Sequence, residues 1–108
     1  MSKVQELCTK HPIPVQFDFE DDRPGELYDR YFGNGYKVTV ARHGYSLGGP
    51  QGLYELGLWK FMSYGDYDME CVEGITAPGD TVVGFLNDEE VVSLMDKVSE
   101  LPSCVIFN

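Results

Sequence analysis

The sequence predicts an α+β domain, an antiparallel sheet of about four strands with a C-terminal amphipathic helix packed on one face. Three observations point there. Asn34-Gly35 lies between two β-prone runs, Leu27 to Phe32 and Tyr36 to His43, and Asn-Gly in that setting is the strongest short hairpin signal because both residue types accept positive φ. Leu53 to Met62 is apolar on both faces, with Tyr54, Leu56 and Leu58 on one and Leu53, Trp59 and Phe61 on the other, which suits the middle of a sheet. Val91, Leu94, Met95, Val98 and Leu101 recur at helical spacing before Pro102 ends the pattern.

The remaining elements follow in order. Residues 1 to 12 read as a short helix or a loose lead-in, ended by Pro12 and Pro14. Val15, Phe17 and Phe19 alternate with Gln16, Asp18 and Glu20, a period of two that predicts a strand. Asp21 to Gly25 is a loop. After the hairpin, Gly44 to Gly52 holds four glycines and Pro50, so the chain turns there with unusual backbone angles. Ser63 to Asp68 is a turn leading to a short strand at Met69 to Val72, and Gly74 to Asp80 is loop around Pro78-Gly79. Asn87 is a suitable N-cap, Glu90 three residues on completes a capping box, and Leu86 staples onto Val91. Asp88 and Glu89 sit where the helix dipole favours negative charge. Cys104 to Phe107 is an apolar tail that adds an edge strand.

Residues 1 to 108 fit one domain, and a hydrophobic fraction of 43% argues against disorder. Eight Lys and Arg against eighteen Asp and Glu leave a net charge of −10. The surplus is unevenly spread. Residues 62 to 108 carry ten carboxylates against Lys97 alone, whereas residues 31 to 61 have Lys37, Arg42 and Lys60 against Glu55. Dense carboxylates repel phosphates, so direct nucleic-acid binding is disfavoured and the basic surface of a protein is the better partner. Cys8, Cys71 and Cys104 are odd in number and irregular in spacing, which predicts reduced thiols in a cytoplasm. Met1 to Lys10 has no apolar run of signal-peptide length, and no stretch approaches the roughly 20 apolar residues of a membrane span.

Each candidate chemistry has an ordinary counterpart. Gly44-Tyr45-Ser46-Leu47-Gly48 matches the G-x-S-x-G pattern of a nucleophile elbow. The following Gly49, Pro50 and Gly52 cannot begin the helix that motif needs, so a glycine-rich turn between strands is the better reading. Cys8 and His11, with His43, Cys71 or Cys104, supply zinc-ligand types, but the second close pair of a structural zinc site is missing. Asp66, Asp68 and Glu70 alternate, so an extended backbone puts them on one face; without a calcium-loop glycine and terminal Glu they read as a solvated edge. No Lys-Ser or Lys-Thr follows the glycine-rich segment, which argues against a phosphate loop. No cofactor is expected. His43, with Tyr45, Tyr64 and Tyr67, is the one nucleus for a small-ligand pocket, against the reading of a structural His whose nitrogens satisfy a turn.

The run Tyr31-Phe32-Gly33-Asn34-Gly35-Tyr36, followed by Val38, Val40, Arg42-His43, Tyr45-Ser46, Gly48-Gly49 and Gly52-Leu53-Tyr54-Glu55-Leu56, resembles that of small uncharacterised accessory proteins of tailed bacteriophages. Those proteins place a comparable acidic helix after an element like Gly84-Phe85-Leu86 here. The resemblance spans roughly residues 31 to 100 and implies a virus-encoded protein acting in the host bacterial cytoplasm. It also implies an inhibitor of host restriction, CRISPR or DNA-repair machinery, and carries no activity onto any residue.

The resulting expectation is a non-enzymatic protein that engages a basic surface on a host nucleic-acid-processing or defence protein, as an anti-CRISPR, anti-restriction or nucleic-acid mimic would. Its expected contact residues are Asp66, Asp68, Glu70, Glu73, Asp88 and Glu89, with Asp21 and Asp22 as a second cluster. Opposite-charge steering would make such binding salt-sensitive. Two alternatives belong to other classes: a small-ligand or minor enzymatic domain around the glycine-rich turn and His43, and a phage structural or oligomeric component. The plainest reading of the charge is solubility.

Overall fold

A computed structural model describes residues 2–105. The order is α1 (Lys3–Leu7), β1 (Thr9–His11), a 3-10 turn at Val15–Phe17, β2 (Glu26–Tyr31), β3 (Tyr36–Arg42), a second 3-10 turn at Gly49–Gln51, β4 (Tyr54–Phe61), β5 (Tyr67–Met69), β6 (Val82–Leu86) and α2 (Asp88–Ser99). The fold is α+β with an antiparallel sheet, as the sequence predicts, but the sheet has six strands rather than about four. β1 to β4 are neighbours in chain order. β5 and β6 both pair with β4, β5 against Trp59 to Phe61 and β6 against Tyr54 to Gly57.

Two of the extra strands come from stretches with weak patterns. The N-terminal lead-in divides into α1 and the three-residue β1, whose Thr9, Lys10 and His11 face Asp29, Tyr28 and Leu27. Val82 to Leu86 forms β6 although Gly84 interrupts its β-prone residues. The predicted strand at Val15, Phe17 and Phe19 is a 3-10 turn instead. Its residues do not alternate in burial, since Val15, Phe17 and Phe19 of the one predicted face run from exposed through intermediate to buried, and the backbone bonds locally, Phe17 N–H to Pro14 O and Asp18 N–H to Val15 O. The strand predicted at Met69 to Val72 lies two residues earlier. Val72 O is taken by the amides of Ile75 and Thr76, and Val72 N–H donates to Thr76 Oγ1, which closes a turn there.

Strand registers divide the sheet into two faces. Val38 faces Leu58, Val40 faces Leu56 and Leu56 faces Val83. With Tyr28, these side chains meet Val91, Met95 and Val98 of α2 in one core. Full burial of each such aliphatic side chain contributes about 1.5–3 kcal/mol, so the helix is held mainly by this stripe. Asn87 Oδ1 accepts from Glu90 N–H at 2.8 Å and Glu90 Oε1 accepts from Asn87 N–H at 3.0 Å, the predicted capping box.

Both ends of α2 are also pinned by residues distant in sequence. At its start, the Asp88 carboxylate accepts from the N–H groups of Lys3 and Val4, each at 3.2 Å. At its end, Asn34 Nδ2 donates to Val98 O at 2.8 Å and Leu101 O at 3.0 Å. Asn34 does not have positive φ; in the hairpin turn that conformation belongs to Gly35 alone, at +92°. A Cβ on Gly35 would also lie 2.5 Å from Cys104 Sγ. Cys104 N–H donates to Asn34 O, so this part of the tail docks on the hairpin turn; Ile106 and Phe107 of the predicted edge strand fall outside the described residues. No helix among the described residues is long and apolar enough to cross a membrane.

Among the described residues, no α-helix lies on the opposite face of the sheet. One half is covered by the N-terminal segment, where Ile13, Pro14 and Phe17 lie over Leu27 and His43. Over the other half, around Tyr31, Lys37, Thr39, Trp59, Phe61, Tyr67 and Met69, no helix or strand of the described residues lies.

Candidate partner-binding surface

The structure separates carboxylates that hold the fold from those that face water unpaired. Asp88 belongs to the first group, since it caps α1. Glu70 lies 3.6 Å from Lys60 Nζ, and Asp21 lies 2.6 Å from Arg23 Nε. Hydrogen bonds from Arg23 hold the Asp21 carboxyl below its ordinary range. Asp68 accepts from the Tyr64 hydroxyl, and that bond pushes the Tyr64 phenol up to about 12. Glu26 is largely enclosed, bonded by Arg42 Nε at 2.8 Å and the Tyr28 hydroxyl at 2.6 Å, and Asp29 is paired with His11 Nε2 at 2.9 Å.

Asp66, Glu73 and Glu89 of the predicted set, with Asp22, are exposed and have no ion-pair partner among the described residues. Asp66 Oδ1 accepts only from its neighbour, Tyr67 N–H. Asp96 and Glu100 join them. Both are exposed on α2, and the spacing 89, 96, 100 aligns them with Glu89 on the outer side of the helix, away from Val91, Met95 and Val98. Glu73 and Glu100 line one shallow groove with Val72, Ile75, Lys97 and Leu101. Lys97 Nζ donates to Gly74 O at 3.4 Å, tying loop to helix. Glu73, Glu89, Asp96 and Glu100 therefore make an acidic band over the β5–β6 loop and the outer face of α2, while Asp66 lies apart from it in the β4–β5 turn. The sequence held a signal for Asp96 and Glu100, namely their heptad-like spacing from Glu89 opposite the apolar stripe.

The second predicted cluster is not brought to this band. Asp21 lines a different cavity of about 350 Å³ with Phe19, Glu20, Arg23, Gly44 and Pro50. That is the end of the sheet where β4 begins, whereas Asp66 follows the end where β4 finishes. Asp22 has a φ of +65° in the turn closed by Asp22 N–H to Phe19 O.

The catalytic and metal candidates are dispersed or occupied. Ser46 Oγ is buried, accepts from His43 N–H at 2.8 Å and donates to His43 O at 3.1 Å. Gly48 has a φ of +90° and only a three-residue 3-10 turn follows. Cys8 packs on Met95, and burial pushes its thiol up to about 11. Among the described residues no three His, Cys, Asp or Glu side chains gather at metal-binding distance. Asp66, Asp68 and Glu70 thus do not converge, and of the three only Asp68 lies within β5.

His43 does border a concavity. Ile13, Pro14, Phe17 and Leu27 enclose with it a pocket of about 220 Å³. His43 Nδ1 accepts from Tyr45 N–H at 3.0 Å, and burial lowers its pKa from the ordinary 6.5, so it is held neutral. Tyr45 reaches this corner through Phe17 at 6.0 Å between ring centroids. Tyr67 does not, since it packs on Phe61 and Tyr31 toward the other end of β4, and Tyr64 precedes it in the turn beyond Phe61. No protein-family model, curated protein or solved structure matches the chain.

Proposed function

We propose that this is a non-enzymatic, phage-encoded protein that binds and inhibits a host nucleic-acid-processing or defence protein through that partner's basic surface, in the manner of an anti-CRISPR, anti-restriction or nucleic-acid-mimic protein. One observation carries the reading: Asp66, Glu73, Glu89, Asp96 and Glu100 are exposed and have no ion-pair partner among the described residues, although other carboxylates in the same fold are matched to partners. Solvated carboxylates without a cation of their own remain available to an incoming cationic surface. Lys37, Arg42 and Lys60 lie outside the band, and Lys97 lies within it, its Nζ donating to Gly74 O. The virus origin and the bacterial cytoplasm rest on the sequence resemblance in residues 31 to 100.

Capture from bacterial lysate at low and high salt tests the reading. The partner binds the wild type, releases at high salt, and is not retained by Asp66→Asn/Glu73→Gln/Glu89→Gln. Retention indifferent to both salt and substitution contradicts it.

The second reading, a small-ligand domain, is favoured by the pocket beside His43. Its volume falls below the roughly 300–1,000 Å³ usual for ligand sites, and His43 is its one polar side chain. Ligand-induced shifts of the His43 and Phe17 ring resonances, in a screen of small aromatic compounds, would favour this reading over the first.

A further inference from the structure

We propose that Asn34-Gly35 is a self-modification site gated by the C-terminal end of α2: when that end lifts off the hairpin, the Gly35 nitrogen attacks the Asn34 side chain and converts it to aspartate and isoaspartate. The inference is independent of the partner reading above. Of the residues that can follow an asparagine, glycine leaves its own nitrogen least hindered and its backbone freest. The turn therefore carries a reactive pair, and the fold decides when it reacts.

The step is an intramolecular substitution. The Gly35 nitrogen gives up its proton to hydroxide and bonds to Asn34 Cγ, while the Cγ–Nδ2 bond breaks and Nδ2 takes a proton from water and leaves as ammonia. A succinimide ring remains. Water then opens either of its two carbonyls, giving aspartate or, with the backbone rerouted through Cβ and Cγ, isoaspartate. Nothing is oxidised or reduced, and water is the one co-reactant.

In the folded chain the groups this step needs are engaged. Asn34 Nδ2 donates to Val98 O at 2.8 Å and Leu101 O at 3.0 Å, so Cγ turns toward the backbone only if both bonds break. Asn34 Oδ1 accepts from Tyr36 N–H at 3.2 Å. Gly35 N–H donates to Phe32 O at 3.2 Å, and Asn34 O accepts from Cys104 N–H at 2.9 Å. Gly35 itself is buried, with Cys104 and Val105 packed on its open side. Val98, Leu101 and Cys104 all belong to the last turn of α2 and the segment after it. Lifting that one segment frees the side-chain amide while the β2–β3 ladder stays paired, and such local openings cost less than global unfolding.

The product cannot restore the contact. A carboxylate at position 34 has no hydrogen to offer Val98 O and Leu101 O, and it faces the negative end of the helix dipole. The isoaspartyl form also lengthens the turn backbone, against a register that pairs Tyr31 with Lys37. Modification thus makes a transient opening of the helix end a lasting one.

The test incubates the full chain at mildly alkaline pH, in buffer and in urea above its unfolding midpoint. Peptide mass mapping and an isoaspartyl methyltransferase assay read conversion at Asn34. Conversion is expected to be at least about tenfold slower in the fold, an opening free energy of at least about 1.4 kcal/mol. The ratio of native to urea rates should nonetheless exceed the global unfolding constant from urea denaturation, because the gate is local. Val98 is fully buried, and Val98→Ala, which thins the stripe seating the helix end, is expected to raise the native rate several-fold and leave the urea rate unchanged. Converted chain is expected to lose protection at the Glu100 and Leu101 amides, which donate to Lys97 O and Val98 O. No conversion in urea, native conversion as fast as in urea, a rate ratio equal to the global unfolding constant, a native rate unmoved by Val98→Ala, or full amide protection in the converted chain would overturn the proposal.

Discussion

The Asp88 carboxylate caps Val4: its Oδ1 accepts from the Val4 N–H, while its Oδ2 accepts from the N–H of Lys3. Asp88 is itself the first residue of α2, so one carboxylate serves a helix start on each side. A five-residue helix has no stability of its own, and α1 persists because Val4 is buried and its amides are met by Asp88. The negative charge of Asp88 is thus committed inside the fold.

Asp88→Ala is accordingly expected to destabilise the protein by about 0.5–2 kcal/mol, read by urea denaturation, with a loss of protection in the amides of Lys3 and Val4. Partner affinity should change less than it does for Glu73→Gln. The reverse order would return Asp88 to the contact surface.

Asn34 joins the hairpin turn to the last turn of α2. Its amide meets two carbonyls that the helix end leaves open. Asn34→Ala is expected to cost about 1–3 kcal/mol. Asn34→Asp should cost more, because a carboxylate there faces carbonyl oxygens and the negative end of the helix dipole. Equal stability of the two variants by urea denaturation would contradict this assignment.

Burial alone would raise the pKa of Glu26, but hydrogen bonds from Arg42 and Tyr28 bring it below its ordinary 4.5. A depressed folded-state pKa means that the contribution is present above the unfolded value and lost as pH falls through the folded one. Glu26→Gln should therefore flatten the acid limb of the stability profile below about pH 4.5, and Arg42→Ala should destabilise by about 1.5–3 kcal/mol at neutral pH. An unchanged acid limb in Glu26→Gln would count against the pair.

His43 titrates in the opposite chemical sense with the same direction in pH. Burial lowers its pKa, and its Nδ1 lone pair holds the Tyr45 N–H. Folding therefore favours the neutral ring, and that contribution is full above about 6.5 and declines as pH falls through the folded-state pKa. NMR titration should place the His43 midpoint below 6.5. A midpoint above that value would show that the imidazolium has a partner in this corner.

Elements with dense local signals were legible in the sequence. The Asn-Gly hairpin, the doubly apolar β4 and the capped helix with its stripe each follow from pattern and turn chemistry in one window. β1 was not, because three residues of Thr-Lys-His carry no alternation and become a strand only by pairing with Leu27 to Asp29. The alternation of Val15, Phe17 and Phe19 misled for a related reason: burial of Phe19 is set by the loop, and no neighbouring strand receives the backbone. For the candidate surface, residue charge was legible and availability was not. That Asp88 and Glu70 are occupied depends on Lys3 and Lys60 positions fixed by the fold, whereas Asp21 is met by Arg23 two residues on. The aromatic face around Lys37 was hidden in the same way, since a strand apolar on both sides reads as covered on both.

The account rests most directly on the unpaired carboxylates of the β4–β5 turn, the β5–β6 loop and the outer face of α2. Biolayer interferometry between this protein and the host protein it captures, run across ionic strength, measures their contribution. The account predicts that affinity falls steadily with salt and that Asp66→Asn/Glu73→Gln/Glu89→Gln weakens binding about tenfold, at roughly 0.5 kcal/mol for each exposed charge, with the melting temperature unchanged. Affinity that holds across salt and survives the triple substitution would contradict it.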